Sequence, residues 1–154
     1  MLYIWFTWPI CIFLFSAALK ASTKHVAFYA QLTSNIIGQN QHIIFDKVKL
    51  NAGSAYNPIH GNFVAPSNGT YQFTLTACSV DRHYIVLDIY INTVVYDSII
   101  AGDTSYDECN SKTVFVSLKQ NDDVYVKHGQ YGDYLRAIIS NGYPSFGGVL
   151  LYAE

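Results

Sequence analysis

The stretch FDKVKLNAGSAYNPIHGNFVAPSNGTYQFTL, residues 45–75, decides the fold of this chain. In its last seven residues, GTYQFTL, the apolar Tyr71, Phe73 and Leu75 alternate with threonine and glutamine. Successive side chains of a strand point to opposite faces, so this alternation predicts a strand with one buried face. The PSNG run at residues 66–69 predicts a tight hairpin turn, because an Asn-Gly pair tolerates the positive φ that such turns require.

The rest of the chain repeats this two-residue rhythm, most clearly at residues 84–91, where isoleucine and leucine share one face. Further strands are predicted at residues 25–32, 43–45, 48–50, 63–64, 71–80, 94–96, 113–118, 123–127, 134–139 and 147–152. The polar run at residues 101–110 is predicted to be a loop. Many short strands separated by Gly, Asn and Pro turns predict an all-β fold, a β-sandwich or jelly roll.

The N-terminal run, residues 2–19, carries no charged side chain. This run, followed by small residues, is typical of a secretory signal peptide over residues 1–18, cleaved after Ala18 or, as the alternative, after Ala21. An uncleaved signal anchor is the competing interpretation, since the apolar run is nearly long enough to span a bilayer. We favour cleavage.

Cleavage would leave a secreted, extracellular chain with a short linker at residues 19–24 and a globular domain at residues 25–154. The whole sequence has 154 residues and a formal net charge of −2. Nucleic-acid binding needs a basic face, so this charge argues against nucleic acid, and we expect no nucleic-acid partner. We expect no membrane attachment after cleavage. No nucleophile elbow, phosphate-binding loop or metalloprotease motif occurs, so we expect a non-enzyme.

Two kinds of covalent modification are indicated by the sequence. Cys78 and Cys109 remain after removal of the leader, and an even count in an oxidising compartment favours an intrachain disulfide. The bridge would close a loop of about thirty residues and contribute about 3 kcal/mol. Two free buried thiols or an intermolecular bridge are the alternatives. Asn68 begins the N-x-Ser/Thr sequon and is a glycosylation candidate, although the same residues also suit a turn.

A set of aromatic, asparagine and glycine positions follows a fixed order: Phe45, Asn51, Tyr56, Phe63, Gly69, Tyr71 and Phe73, within the runs FDKV, YNP and GTYQF. In order and spacing, these positions resemble the signature of the C1q globular-head domain. Leu75 stands where that family usually has an aromatic residue. The run at 146–152 resembles the family's closing strand, with Gly147 where serine is common. The resemblance covers roughly residues 25–154 and implies a jelly roll of two antiparallel sheets, like that of tumour necrosis factor.

The resemblance also implies a function and an assembly. Stemless secreted proteins of this family bind microbial surfaces or carbohydrates in innate immunity, without catalysis, and the domain forms homotrimers. No Gly-X-Y repeat or heptad pattern precedes the domain, so a trimer would be held by the domain itself. The alternative is a trimeric structural or matrix protein, or a receptor ligand of the tumour-necrosis-factor type.

Ligand contacts are expected in loops at one end of the sandwich, and the candidate residues are Tyr106, Asp107, Tyr131, Asp133, Tyr134 and Arg136. Tyrosine can stack on a sugar ring, while aspartate and arginine can hydrogen-bond its hydroxyls or acidic groups. No cofactor is expected, since the five histidines show no metal-ligand spacing. The acidic run of Asp103, Asp107 and Glu108 is predicted to be a solvated loop, with a calcium site as the alternative.

Overall fold

The computed structural model describes residues 25–137 and 144–154, which form strands, turns and loops without a helix. The predicted signal peptide and linker lie outside the described residues, as do residues 138–139 of the strand predicted at 134–139. Across the two described ranges, no helix has the length and apolar character of a membrane span. The all-β prediction is confirmed.

The strands of the described chain are β1 Ala27–Gln31, β2 Ile36–Ile37, β3 Lys47–Ala52, β4 Tyr56–Asn57, β5 Asn62–Val64, β6 Gly69–Ser79, β7 His83–Ile91, β8 Val94–Asp103, β9 Glu108–Leu118, β10 Asp123–Gly132, β11 Tyr134–Leu135 and β12 Ser145–Ala153. The first sheet has the order β3–β1–β12–β6–β9, and the second has the order β4–β5–β10–β7–β8. β11 and β2 pair separately. Antiparallel neighbours such as β1 and β12 come from opposite ends of the chain, as in a jelly roll.

Aromatic rings fill the space between the two sheets. Phe28 stacks on Tyr56 with ring centroids 4.6 Å apart, and Phe63 meets Phe73 edge-on at 5.3 Å. Tyr71 and Phe73 are fully buried, as the alternation in β6 predicted. Such ring pairs contribute about 0.5–1.5 kcal/mol each beyond the area that they bury. The aromatic positions of the family signature therefore build the core.

Two signature residues also meet through a buried hydrogen bond. The Tyr56 hydroxyl donates to the Phe45 carbonyl oxygen at 3.0 Å. Burial raises the pKa of Tyr56 to about 12, so the phenol stays protonated and keeps donating. These residues identify the fold and are not available to a ligand.

The paired glycines of β12 have different roles on the two sides of the first sheet. A Cβ atom on Gly148 would lie 2.6 Å from ring atoms of both Phe28 and Phe73, so a larger residue would displace the core. Gly147 lies on the outward side, beside Tyr29, and helps to form an open dent of about 280 Å³.

Two predicted connections are wrong because the chain crosses from one sheet to the other. β5 belongs to the second sheet and β6 to the first, so residues 65–68 are a crossover and not a hairpin turn. The crossover is held where the Ala65 N–H donates to the Asp122 carbonyl oxygen at 2.8 Å. β8 and β9 also lie in different sheets, and the loop predicted at 101–110 is only residues 104–107.

The strand predicted at residues 43–45 is also wrong. Ile43 and Phe45 are fully buried, but they form no strand. The Ile43 N–H donates to the Val126 carbonyl oxygen at 2.9 Å, which ties this segment beside β10. Periodicity distinguishes buried from exposed positions, but it does not tell a strand from an extended, packed loop. The two-residue strands β2 and β4 were not predicted as strands, because they are too short to show a period.

Candidate ligand-binding site

A disulfide joins β6 to β9 at one end of the sandwich. Cys78 and Cys109 are directly opposite each other in the antiparallel register, and their Sγ atoms are 2.06 Å apart. The predicted intrachain bridge is confirmed. Because β9 begins one residue before Cys109, the bridge holds the loop at 104–107 against the end of β6. That loop carries the candidates Tyr106 and Asp107.

Asp107 and Arg136 form an ion pair beside this disulfide. Arg136 Nη1 lies 2.6 Å from Asp107 Oδ2, and the Asp81 backbone N–H donates to the other carboxylate oxygen at 3.2 Å. The Arg136 N–H donates to the carbonyl oxygen of Cys78 at 3.0 Å. Both side chains remain partly exposed, so the pair offers a fixed donor and acceptor to a ligand.

Asp133 and Tyr134 lie nearby on the segment that enters β11. Asp133 Oδ2 is 2.9 Å from His83 Nδ1, and the His83 ring lies 5.8 Å from the Tyr134 ring. The Asn35 amide donates to the Tyr134 hydroxyl at 2.8 Å, and the Ser79 hydroxyl donates to the Tyr134 carbonyl oxygen at 3.2 Å. Tyr134 is therefore fixed by the protein on both its side chain and its backbone.

The other two candidates, Tyr106 and Tyr131, have 63% and 59% of their surface exposed. Neither ring takes part in the Asp107–Arg136 or the His83–Asp133 contact. We call the six candidates together the loop end: Tyr106, Asp107, Tyr131, Asp133, Tyr134 and Arg136. The structure collects Asp107, Asp133, Tyr134 and Arg136 around the end of β6. It leaves the two exposed tyrosines free to contact a ligand.

Sequence reasoning missed a groove on the outward face of the second sheet. This outer groove is an open space of about 580 Å³, and its lining residues are Asn40, His42, Asn92, Thr93, Asp123, Tyr125 and Lys127. The Tyr125 ring stacks on Tyr90, with centroids 5.2 Å apart and an interplanar angle of 9°, and it lies 4.9 Å from the His42 ring. Lys127 Nζ lies 5.4 Å from the centre of the Tyr90 ring.

Two pKa shifts describe the electrostatics around this groove. Burial, followed by the neighbouring Tyr90 and Asp123, raises the pKa of Tyr125, so its phenol is protonated at neutral pH. A hydrogen bond from the Asn92 amide, helped by the backbone N–H of Lys119, lowers the pKa of Asp122 at the hairpin end of the groove. Tyr125 therefore lines the groove as a neutral phenol, and Asp122 is a carboxylate next to the lining residue Asp123.

Part of the outer groove could have been predicted from the alternation of residues in the sequence. The alternation in residues 84–91 already placed Tyr90 on the outward face, and a strand at 123–127 places Tyr125 and Lys127 on one face. Nothing local linked those residues to His42, which pairs with Lys127 of β10 through an isolated bridge.

Asn68 lies on the surface within the 65–68 crossover. Its Oδ1 atom accepts a hydrogen bond from the Gln120 backbone N–H at 2.8 Å, so the side chain supports the crossover. Glycosylation of Asn68 stays a prediction. Within residues 25–137 and 144–154, no group of three or more His, Cys, Asp or Glu side chains is close enough to hold a metal ion.

The strand order of the two sheets defines the class of protein: a jelly-roll sandwich of the type found in C1q and tumour necrosis factor. A sequence model of the C1q domain family matches residues 27–151. This chain belongs to the C1q domain family, and the resemblance inferred from the sequence is confirmed. Proteins of this family generally bind ligands rather than catalyse reactions.

Curated relatives agree with this assignment. The chain is 38% identical over 116 residues to the heavy metal-binding protein HIP of Mytilus edulis, covering 71% of this chain and 54% of that protein. It is 28% identical over 135 residues to the human complement C1q tumor necrosis factor-related protein 3, covering 82% and 51%. The chain thus spans about half the length of these relatives.

Solved structures show the same fold. The globular domain of zebrafish complement 1qA aligns with a TM-score of 0.65 at 19% identity, covering 84% of this chain and 99% of that one. Murine APRIL aligns with a TM-score of 0.62 at 12% identity, covering 83% and 100%. At these identities the likeness concerns the fold alone.

Proposed function

We propose that this protein is a secreted, non-catalytic recognition protein that assembles as a homotrimer and binds carbohydrates or microbial surfaces through its loop end. The observation that carries this proposal is the loop end itself. The Asp107–Arg136 ion pair lies beside the disulfide, Asp133 is within hydrogen-bond distance of His83, and Tyr106 and Tyr131 are mostly exposed. Rigid donors and acceptors beside exposed aromatic rings are what recognition of a sugar needs.

The first sheet supports self-association. On its outward face, the residues of β1, β12, β6 and β9 are uncharged, and we call them the uncharged face: Tyr29, Gln31, Gln72, Thr74, Thr76, Ser111, Thr113, Phe115, Gly147 and Val149. Phe115 is 58% exposed and Tyr29 is 41% exposed. Depletion of charge with exposed aromatic residues is typical of the centre of a protein–protein interface.

A complementary surface lies at the edge that joins β8 to β9. Tyr96 and Ile100 are exposed there, and the Tyr96 hydroxyl donates to the Phe115 carbonyl oxygen at 2.7 Å. If this edge packs on the uncharged face of the next copy, the contact is head-to-tail, and a threefold rotation closes such contacts into a ring. A trimeric ring would present three loop ends together and raise avidity through effective concentration.

The proposal is tested by sizing the mature protein and screening it against glycans and bacteria, with and without calcium. We expect a trimer and saturable sugar binding. Tyr106→Ala with Tyr131→Ala should weaken that binding by at least about tenfold, because each ring supplies contact area to the sugar. Tyr152→Ala is the matched control, since Tyr152 is 67% exposed on β12 and pairs with the start of β6, away from the disulfide.

A verified trimer that binds no glycan or microbe would overturn the lectin proposal. It would favour the structural, matrix or receptor-ligand alternative. Because the Mytilus edulis relative is named a heavy metal-binding protein, the screen should also titrate the present protein with cadmium or zinc. Sugar binding unaffected by these ions and by calcium supports recognition by side chains alone.

A further inference from the structure

The uncharged face contains a dent whose lining carries no charge. This is the open space of about 280 Å³ beside Tyr29, and we call it the glycine dent. A Cβ atom on Gly147 would lie 3.3 Å from Tyr29 Cδ2, so the dent exists because position 147 has no side chain. Its lining residues include Tyr29, Gln72, Thr74, Gly147, Gly148 and Val149.

An exposed aromatic ring lies on the same face, two strands away. Phe115 of β9 is opposite Gln72 of β6, and Gln72 is opposite Val149 of β12. Neighbouring strands are about 4.7–4.9 Å apart, so the Cα atoms of Phe115 and Val149 are separated by about 9–10 Å. Within one copy the Phe115 ring remains 58% exposed and the glycine dent remains open.

The glycine dent has room for one aromatic ring. An apolar cavity of about 150 Å³ can hold a benzene molecule, and the dent is larger than that. Moving the Phe115 ring from water into such a dent is favourable, because the ring and most of the dent are apolar. The face therefore carries an exposed ring and a space that would accept it.

The hydroxyl groups around the dent already have partners on the same face. The Thr74 and Thr113 hydroxyls are 2.9 Å apart and hydrogen-bonded. The Thr76 and Ser111 hydroxyls form a second such pair at 2.7 Å. Covering a hydroxyl is costly when it is left without a partner, so these pairs allow another copy to cover the face.

The ring and the dent occupy different parts of the first sheet. β9 is an edge strand, whereas β12 is the middle strand. A head-to-tail contact joins two different patches, one from each copy, and an edge ring and a central dent meet this requirement. The Phe115 carbonyl oxygen accepts from the Tyr96 hydroxyl at 2.7 Å, which fixes the edge that presents the ring.

We propose that the Phe115 ring of each copy inserts into the glycine dent of the next copy and sets how the copies pack. This inference rests on the proposed homotrimer and names the contact that holds it together. The ring is the anchor of the interface, and the absence of a side chain at position 147 makes the site that receives it.

Cross-linking tests this contact directly. Phe115→Cys combined with Val149→Cys places two thiols too far apart to bridge within one copy, since bridged Cα atoms are at most about 7 Å apart. Mild oxidation of the mature double variant should therefore give linked copies on a non-reducing gel. Each single variant is the control and should give far less linked product. Equal linking in Phe115→Cys alone would show that the rings meet each other, and it would overturn the proposal.

Trimer dissociation, measured by sedimentation, gives the size of the effect. Phe115→Ala should raise the concentration at which half of the trimer dissociates at least about tenfold, because buried aromatic anchors dominate interfaces. Val149→Phe should act similarly, because it fills the dent from its own copy. Combining the two changes should cost no more than either alone, since both remove the same contact.

Tyr131→Ala is the matched control, because Tyr131 is 59% exposed but lies at the loop end, on β10 of the second sheet. A wild-type chain that stays monomeric would overturn the proposed trimer, and this contact with it. A wild-type trimer that is unaffected by Phe115→Ala, or is not linked by the cysteine pair, would overturn this contact alone. So would a combined variant whose losses multiply, or an equal loss in Tyr131→Ala.

Discussion

The two sheets share one core, but their outward faces differ in chemistry. The uncharged face of the first sheet is held together by neutral hydrogen bonds, such as that between the Thr74 and Thr113 hydroxyls at 2.9 Å. The second sheet carries Asp88, Asp123 and Lys127 among its outward residues, beside a stacked tyrosine pair. Burying an unpaired charge is costly, so the first face is better suited to close contact with another copy than this charged part of the second face.

This difference separates assembly from ligand binding within one small domain. The face without charge can be buried in a trimer, while the charged face and the loop end remain in solvent. Substitutions on one face should therefore change one property and leave the other intact.

The largest effect is expected from a charge placed on the uncharged face. Thr74→Lys would bury an unpaired ammonium at each interface of a trimer, at a cost of about 3–5 kcal/mol per site. Sedimentation should show the variant as a monomer at concentrations at which the wild type is a trimer. The thermal midpoint of the isolated chain should change little, because the Thr74 side chain lies on the face away from the core.

Gln130→Lys is the matched control for this variant. It adds the same charge at an exposed position of β10 in the second sheet, and it should remain a trimer. If both variants dissociate, assembly depends on net charge and not on the uncharged face. If neither dissociates, the first sheet is not the contact surface.

The second largest effect concerns the loop end. Replacing both Cys78 and Cys109 by alanine removes a cross-link between residues separated by 31 positions, and in the chain-entropy model this costs about 3–4 kcal/mol. Urea unfolding should show this loss. A thiol reductant should destabilise the wild type by a similar amount and leave the double variant unchanged. Unfolding of the wild type that is insensitive to the reductant would contradict the assigned role of the bridge.

The same double variant sharpens the comparison between the loop end and the outer groove. The loop at 104–107 is held by the bridge, whereas Tyr125 and Lys127 are held within the β10–β7 pairing. Sugar binding that depends on Tyr106 should weaken in the double variant. The arrangement of Tyr125 and Lys127 should persist under conditions where the variant is folded.

The sequence was sufficient to predict features set by neighbouring residues. In β6 and β7, one side of each strand is buried along most of its length, so alternation identified Tyr71, Phe73, Ile85 and Leu87 as core residues. The disulfide also followed from local evidence, because only two cysteines lie beyond the predicted leader. The family signature then supplied the topology.

Features that depend on long-range contact were missed. The polar ends of β8 and β9 lie at sheet edges, where exposed side chains such as Asn110 give the composition of a loop. The PSNG run suited a hairpin, yet the strands on either side pair in different sheets. The outer groove needs His42 beside Lys127, and only the folded chain brings them together.

The smallest predicted effect lies at the edge where the two faces meet. Lys112 Nζ on β9 is 2.6 Å from Asp97 Oδ1 on β8, and it also donates to the Ser98 carbonyl oxygen at 2.9 Å. The hydrogen bond from Lys112 lowers the pKa of Asp97 below its ordinary value. A carboxylate with a lowered folded pKa stabilises the fold above its unfolded pKa of about 3.9, and this stabilisation is lost as the pH falls through the folded pKa.

Because both side chains are more than a third exposed, solvent screening limits this contribution to about 0.5 kcal/mol. Asp97→Asn should therefore lower the free energy of unfolding slightly at pH 7 and differ little from the wild type at pH 2. High salt should remove most of the difference, since it screens the ion pair. Asp122→Asn is the control: hydrogen bonds to neutral donors lower that pKa, so its effect should persist in salt. A salt-independent loss in Asp97→Asn would mean that packing, and not charge, holds the two sheets together at this edge.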